Sequence, residues 1–133
     1  WAKDYILQLE SLGYINGYTD GTFKPNNSIT RAEFVKVIVN IFGIESVQSY
    51  REVALTDIDD SWAKNEIEIC FKLGIVSGYN NEFRPNDNIT RAETVTIINK
   101  LINRVSSTEE KTNPFYDLSK EHWAYSDILS AVK

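Results

Sequence analysis

The strongest constraint on how this 133-residue chain folds is its similarity to itself. Tryptophan occurs at Trp1, Trp62 and Trp123, each time followed by alanine, and both steps are 61 residues. The register continues beyond the tryptophans. Ile6 matches Ile67 and Ile128, Leu9 matches Cys70 and Ala131, Leu12-Gly13 matches Leu73-Gly74, and Gly17-Tyr18 matches Gly78-Tyr79. One residue is then lost between Thr19-Asp20-Gly21-Thr22 and Asn80-Asn81-Glu82, as a solvent-facing turn tolerates. After it Phe23-Lys24-Pro25-Asn26 matches Phe83-Arg84-Pro85-Asn86, and Ile29-Thr30-Arg31-Ala32-Glu33 recurs unchanged as Ile89-Thr90-Arg91-Ala92-Glu93. Self-similarity at a fixed period is the signature of a repeat architecture.

Each complete copy reads as two helices. Ala2, Ile6, Leu9 and Leu12 are spaced as one face of a first helix, and Ala63, Ile67, Cys70 and Leu73 repeat that face. Ser61 or Asp60 is positioned to cap the second copy of this helix, and Gly13 and Gly74 stand where a left-handed C-terminal residue belongs. A second helix is predicted to start after Thr30 and Thr90, because Thr-Arg-Ala-Glu has the form of a capping box. Its apolar positions are Val35, Ile38, Ile41 and Phe42 in one copy and Val95, Ile98, Leu101 and Ile102 in the other. The high β-branched content makes these helices depend on tertiary burial rather than propensity. The Gly-Tyr to Phe-Lys/Arg-Pro-Asn stretch between the helices turns the chain, with room for short extended pieces but no large sheet.

A single helical hairpin of about 45 residues buries too little surface to stand alone, whereas stacked copies share a core. The expected fold is therefore all-α, with tandem helical-hairpin repeats packed side by side. The expected organisation is a first repeat over 1–44, a linker over 45–54, a second repeat over 55–104, a linker over 105–114 and a partial third repeat over 115–133. Tyr50 to Ala54 is predicted to add a helical turn, and Ser106 to Asn113 to be a mobile polar link.

Composition removes several function classes. Nineteen acidic against 14 basic residues give a net charge of −5, so there is no bulk basic field for nucleic acid. A lone cysteine excludes an internal disulfide and a four-cysteine zinc site. No apolar run approaches the roughly 20 residues that span a bilayer. Asp20-Gly21 lacks the spacing of a calcium loop, so no metal or cofactor is expected. His122 is the only histidine, and it lies at the edge of the partial repeat. Asp59-Asp60 and Glu109-Glu110 read as solvated charge, and no phosphate loop or dinucleotide fingerprint occurs. Catalysis is not expected. The absence of methionine and the start at Trp1 mark the sequence as a segment, so its ends carry no information on export.

Together these residues resemble the S-layer homology domain family. Its pattern is similar to F-x-D-[IV]-x-x-x-x-W-A, a helix, G-Y, a turn, F-[KR]-P, [IL]-T-R-A-E and a second helix. The second copy enters the pattern at Leu55-Thr56-Asp57-Ile58 and the third at Phe115-Tyr116-Asp117-Leu118. The first copy lacks the lead, Leu55 replaces the phenylalanine, and the third copy stops inside its first helix. The resemblance implies a pseudo-three-fold bundle on the surface of a bacterium. It implies a non-catalytic anchor that binds an anionic, pyruvylated secondary cell-wall polysaccharide. The arginine of T-R-A-E and aromatic or polar residues of the neighbouring repeat would line grooves between repeats.

Within that frame the candidate glycan contacts are Arg31, Arg91, Trp62, Trp123, Lys24, Arg84, Tyr18 and Tyr79. Arg31 and Arg91 sit at N1, where free amides, helix dipole and guanidinium suit a carboxylate; the alternative is an arginine paired with a nearby aspartate. The tryptophans read foremost as buried anchors between repeats, with sugar stacking as the other use. Tyr18 and Tyr79 either pack on Pro25 and Pro85 or offer a hydroxyl to a sugar. Lys24 and Arg84 are either ligand groups or solvated loop cations. Glu33 and Glu93 are explained by capping, Asp57 and Asp117 by a turn or cap, and Cys70 by core packing. A second reading of the chain is a protein–protein assembly module. In that reading Ala124, Ile128 and Ala131 of the third copy, lacking a partner helix, pair with another chain.

Overall fold

The two Thr-Arg-Ala-Glu segments fold as their sequence predicts. In a computed structural model that describes residues 1–45, 52–104 and 112–132, helix α2 spans Arg31–Phe42 and helix α4 spans Arg91–Leu101. Both open on a complete capping box. The Thr30 amide donates to Glu33 Oε2 at 2.7 Å and the Glu33 amide donates to Thr30 Oγ1 at 3.2 Å. Thr90 and Glu93 repeat the pair at 2.9 and 3.2 Å. Gly43 closes α2 in the left-handed conformation.

The first helices are α1 (Lys3–Ser11), α3 (Lys64–Lys72) and α5 (Tyr125–Ala131), and each begins two residues after its tryptophan. The residue before the tryptophan caps the entry turn instead of the helix. The Ala63 amide donates to Ser61 Oγ, and the Ala124 amide donates to His122 Nδ1. Leu9–Tyr14 and Cys70–Ile75 close α1 and α3 with the paired bonds of a Schellman motif, Gly13 and Gly74 both at φ 73°. Among the described residues there are isolated bridges, Thr30 to Asn88 and Tyr79 to Glu82, but no sheet. The all-α expectation holds. Of the helical turn predicted at 50–54, residues 50 and 51 lie outside the described residues and 52–54 are not helical; Glu109-Glu110 and all but the last two residues of the link at 106–113 lie outside the described residues.

The chain groups into two compact units, Trp1–Asn88 and Ile89–Lys133. In the first unit α2 packs on α3, and in the second α4 packs on α5. The second helix of one copy thus covers the first helix of the next copy. The spatial hairpin is displaced by half a repeat from the sequence repeat. Ala63, Ile67 and Cys70 are completely buried in this way, around Val35 and Ile38 of α2. Lys36 of α2 pairs with Glu66 of α3 beside that contact.

Several apolar expectations need correction, and at the helix ends Ile41, Phe42, Leu73 and Ile102 are exposed rather than buried. Helix α1 buries no residue, and Leu7 and Leu12 are exposed, because among the described residues no second helix lies against it. In α4 the buried positions are Ile97 and Asn99 rather than Val95 and Ile98, which are only partly covered. Asn99 earns its place through hydrogen bonds from its amide to Asp127 O and Ser130 Oγ on α5. The third copy is not without a helix partner: Ala124 and Leu129 are buried and α4 is what α5 packs on, while Ala131 is exposed.

Candidate functional site

Tyr18, Lys24 and Arg31 gather at the first turn of α2. Tyr18 donates its hydroxyl to Glu33 Oε1 at 2.8 Å. Lys24 Nζ lies 4.2 Å from the centre of the Tyr18 ring and 3.2 Å from Asp20. Asp20 is tied down in turn by the Thr22 hydroxyl and amide, so its carboxyl falls to about 2, with Lys24 a further cause. Partial burial works against ionisation of Glu33. Donation from the Thr30 amide, the Tyr18 hydroxyl and the Thr30 hydroxyl outweighs it, and the carboxyl stays below its ordinary range. The same bond to Glu33 raises the Tyr18 hydroxyl. Tyr18 therefore uses its hydroxyl on the protein and supports the capping box from outside.

Arg31 is not an open N1 cation. It is only 6% exposed. Its Nε donates to Phe83 O at 2.7 Å and its guanidinium lies 4.7 Å from the Phe83 ring centre. The amides that a helix start would offer an anion are also engaged. Arg31 N donates to Asp87 O at 2.8 Å and Ala32 N to Pro85 O at 3.0 Å. The expectation of free amides around Arg31 is therefore corrected: the turn of the second copy has filled the start of α2. Asp57 holds that turn by accepting from the Phe83 and Arg84 amides at 2.8 and 2.6 Å, which is the cap role expected of it. Gly78 at the turn's other end approaches Leu55 and Glu82 so closely that a Cβ would sit 2.7 Å from Leu55 Cδ2 and 2.8 Å from Glu82 O.

Lys24 and Arg84 share a left-handed backbone, φ 54° and 59°, and the same turn hydrogen bond. Each has an acid nearby, Asp20 at 3.2 Å and Asp87 at 3.6 Å, and each side chain remains about half exposed. Arg91, the counterpart of Arg31, is exposed. Tyr79, the counterpart of Tyr18, is open to solvent.

The tryptophans overturn their favoured reading. Trp62 is 63% and Trp123 64% exposed, and it is the following alanine, Ala63 or Ala124, that is fully buried. The helix therefore plants the small residue in the core and holds the indole outward. His122 stacks on Trp123 with ring centres 5.7 Å apart. The signal that could have found this was the invariant pairing of tryptophan with alanine, since only one of two adjacent positions can face the core. Cys70 is buried, and burial, with Glu66 nearby, pushes its thiol up to about 12, which makes it inert. Among the described residues no group of three or more His, Cys, Asp or Glu could hold a metal ion, and no helix is long and apolar enough to cross a membrane.

Comparison with known proteins fits this arrangement of repeats. The family model described as S-layer homology domain matches residues 1–35 and 54–95. The "Cellulosome-anchoring protein" of Acetivibrio thermocellus is 37% identical over 99% of this chain and 30% of its own length. The "Amylopullulanase" of Thermoanaerobacterium thermosulfurigenes is 34% identical over the whole chain and 7% of its own length. The "S-layer protein EA1" of Bacillus anthracis is 28% identical over 74% of the chain and 12% of its own length. The chain thus spans less than a third of each of these relatives.

Proposed function

The chain belongs to the S-layer homology domain family, and from that premise we propose that it holds its parent protein to the cell wall by binding an anionic secondary cell-wall polysaccharide, a pyruvylated one being the ligand that suits its cations. At the coarser level it is a cell-surface anchoring module. The segment works by binding, without catalysis, and needs no cofactor.

The observation that carries this reading is the pair of outward-facing indoles at equivalent positions, Trp62 and Trp123. Large apolar side chains left in water next to a core position are used where a partner covers them, and pyranose rings stack on such faces. In the first unit Trp62, Tyr79, Tyr18, Lys24 and Arg84 offer aromatic faces and cations. In the second Arg91 and Trp123 do so. Arg31 belongs to the wall of the site: it fixes Phe83 and the turn that carries Arg84. Pairing through the third repeat has lost the open helix face that motivated it.

Purified cell-wall sacculi provide the test. The chain should be retained, and Trp62→Ala with Arg91→Ala should release most of it while far-ultraviolet dichroism stays unchanged. Undiminished retention of that folded double variant sinks the assignment.

A further inference from the structure

The pairs α2·α3 and α4·α5 are repeats of one another, yet at two register positions their chemistry differs. Lys36 and Val39 of α2 correspond to Thr96 and Asn99 of α4, and Glu66 and Ile69 of α3 correspond to Asp127 and Ser130 of α5. In the first pair Lys36 Nζ meets Glu66 Oε1 as an ion pair, and the other position is apolar on both helices. In the second pair the Thr96 hydroxyl donates to Asp127 Oδ2 at 3.0 Å. The Asn99 amide donates to Asp127 O at 2.9 Å and to Ser130 Oγ at 3.0 Å. Ser130 turns its own hydroxyl hydrogen onto Asp127 O at 2.7 Å, which leaves its oxygen to accept from Asn99. Asn99 is 2% exposed, so both of its amide hydrogens depend on α5. Helix α1 carries Tyr5 and Gln8 at the corresponding places.

We propose that these two positions form a pairing code, which commits α2 to α3 and α4 to α5 among helices that are otherwise copies of one another. An exchanged pairing fails at both positions. On α3, Asn99 would meet Ile69, which has no acceptor for the hydrogen that Ser130 takes, and a buried donor left unmet is costly. The same exchange takes Lys36 from Glu66, a carboxylate whose burial opposes its charge. On α1, Lys36 would face Tyr5 in place of a carboxylate. A single buried asparagine sets register in other paired helices through its penalty on wrong partners rather than through added stability. Tandem copies have particular use for such a device, because misassembly between like units is a characteristic failure of repeat chains.

Stability and fidelity are measured separately in the whole chain. Asn99→Val and Ser130→Ile give the second pair the residues of the first. Each alone should lower the melting temperature by several degrees, and together they should recover it. Fidelity is read after refolding from urea, as the distance between spin labels on Lys100→Cys and Ser126→Cys, both exposed positions; the buried Cys70 does not take the label. With Asn99 and Ser130 in place the labels should show one distance before and after refolding. The Asn99→Val/Ser130→Ile chain should show a second distance after refolding, in about 10% of molecules or more. Adding Val39→Asn and Ile69→Ser, so that the two pairs differ again with the code exchanged, should restore the single distance. A Ser130→Ile chain as stable as the double variant, or a double variant that refolds to one distance as faithfully as the native chain, overturns the proposal.

Discussion

Two identical pentapeptides, Ile-Thr-Arg-Ala-Glu, place the same arginine in opposite environments. Arg31 is buried against Phe83, and Arg91 is exposed. Lysine cannot reproduce the planar stack or the Nε donor. Arg31→Lys should therefore lose roughly 1–3 kcal/mol, the cost of leaving a buried polar partner unmet. Arg91→Lys should change stability by no more than about 0.5 kcal/mol, as surface substitutions do. Parallel urea melts of the two variants decide it, and equal effects would remove the distinction. The sequence identified both arginines as residues to watch, but it could not separate them. What differs is not their local sequence but whether a turn 52 residues further on reaches them. The tryptophans were misassigned for a related reason. Indole is the larger apolar group, so size alone predicts its burial, yet the helix entry points alanine inward and tryptophan outward.

At the level of elements, what local chemistry dictates was readable. The capping boxes and the glycine ends of α1, α2 and α3 follow from residues within a turn of one another. The face buried by α4 was not readable, because Asn99 is buried through bonds to α5 that no hydrophobic pattern announces. The carboxylates that tie these elements make stability depend on acid. Glu33 closes the box of α2. Glu66 joins α3 to α2; burial opposes its ionisation, but the bond from Lys36 prevails and its carboxyl is held down as well. A group whose folded value is depressed binds fewer protons when folded than when unfolded. Its contribution is complete above the ordinary glutamate value of 4.5 and disappears as pH falls through the lower folded value. Stability should hold level above about pH 5.5 and then decline in acid. Glu33→Gln and Glu66→Gln should each flatten that decline while costing stability at neutral pH. Melting temperatures at half-unit steps from pH 6 to 3 measure it, and an unchanged acid slope in both variants contradicts it.

For the molecule as a whole, the repeat was legible and its spatial phase was not. Matching residues define the copy in sequence, but burial pairs α2 with α3 and α4 with α5, because a second helix finds its apolar complement in the next copy. Whole-molecule charge carries a further consequence for the proposed binding to an anionic polymer. With a net charge of −5, the chain and such a ligand repel one another at long range. The Debye length is about 30 Å at 0.01 M salt and about 8 Å at 0.15 M. Salt in that interval screens the repulsion across the molecule, while contacts made at hydrogen-bond distance by Lys24, Arg84 and Arg91 lie well inside the screening length. Retention on sacculi should therefore rise or stay level between 0.01 and 0.15 M sodium chloride, the reverse of a protein recruited by a basic surface. Removing most of that repulsion away from those residues, by changing exposed Asp4 and Glu10 of α1 to lysine, should flatten the rise with salt. A steep loss of retention with salt in the unmodified chain would mean that long-range attraction, not a few placed cations beside open indoles, holds it to the wall.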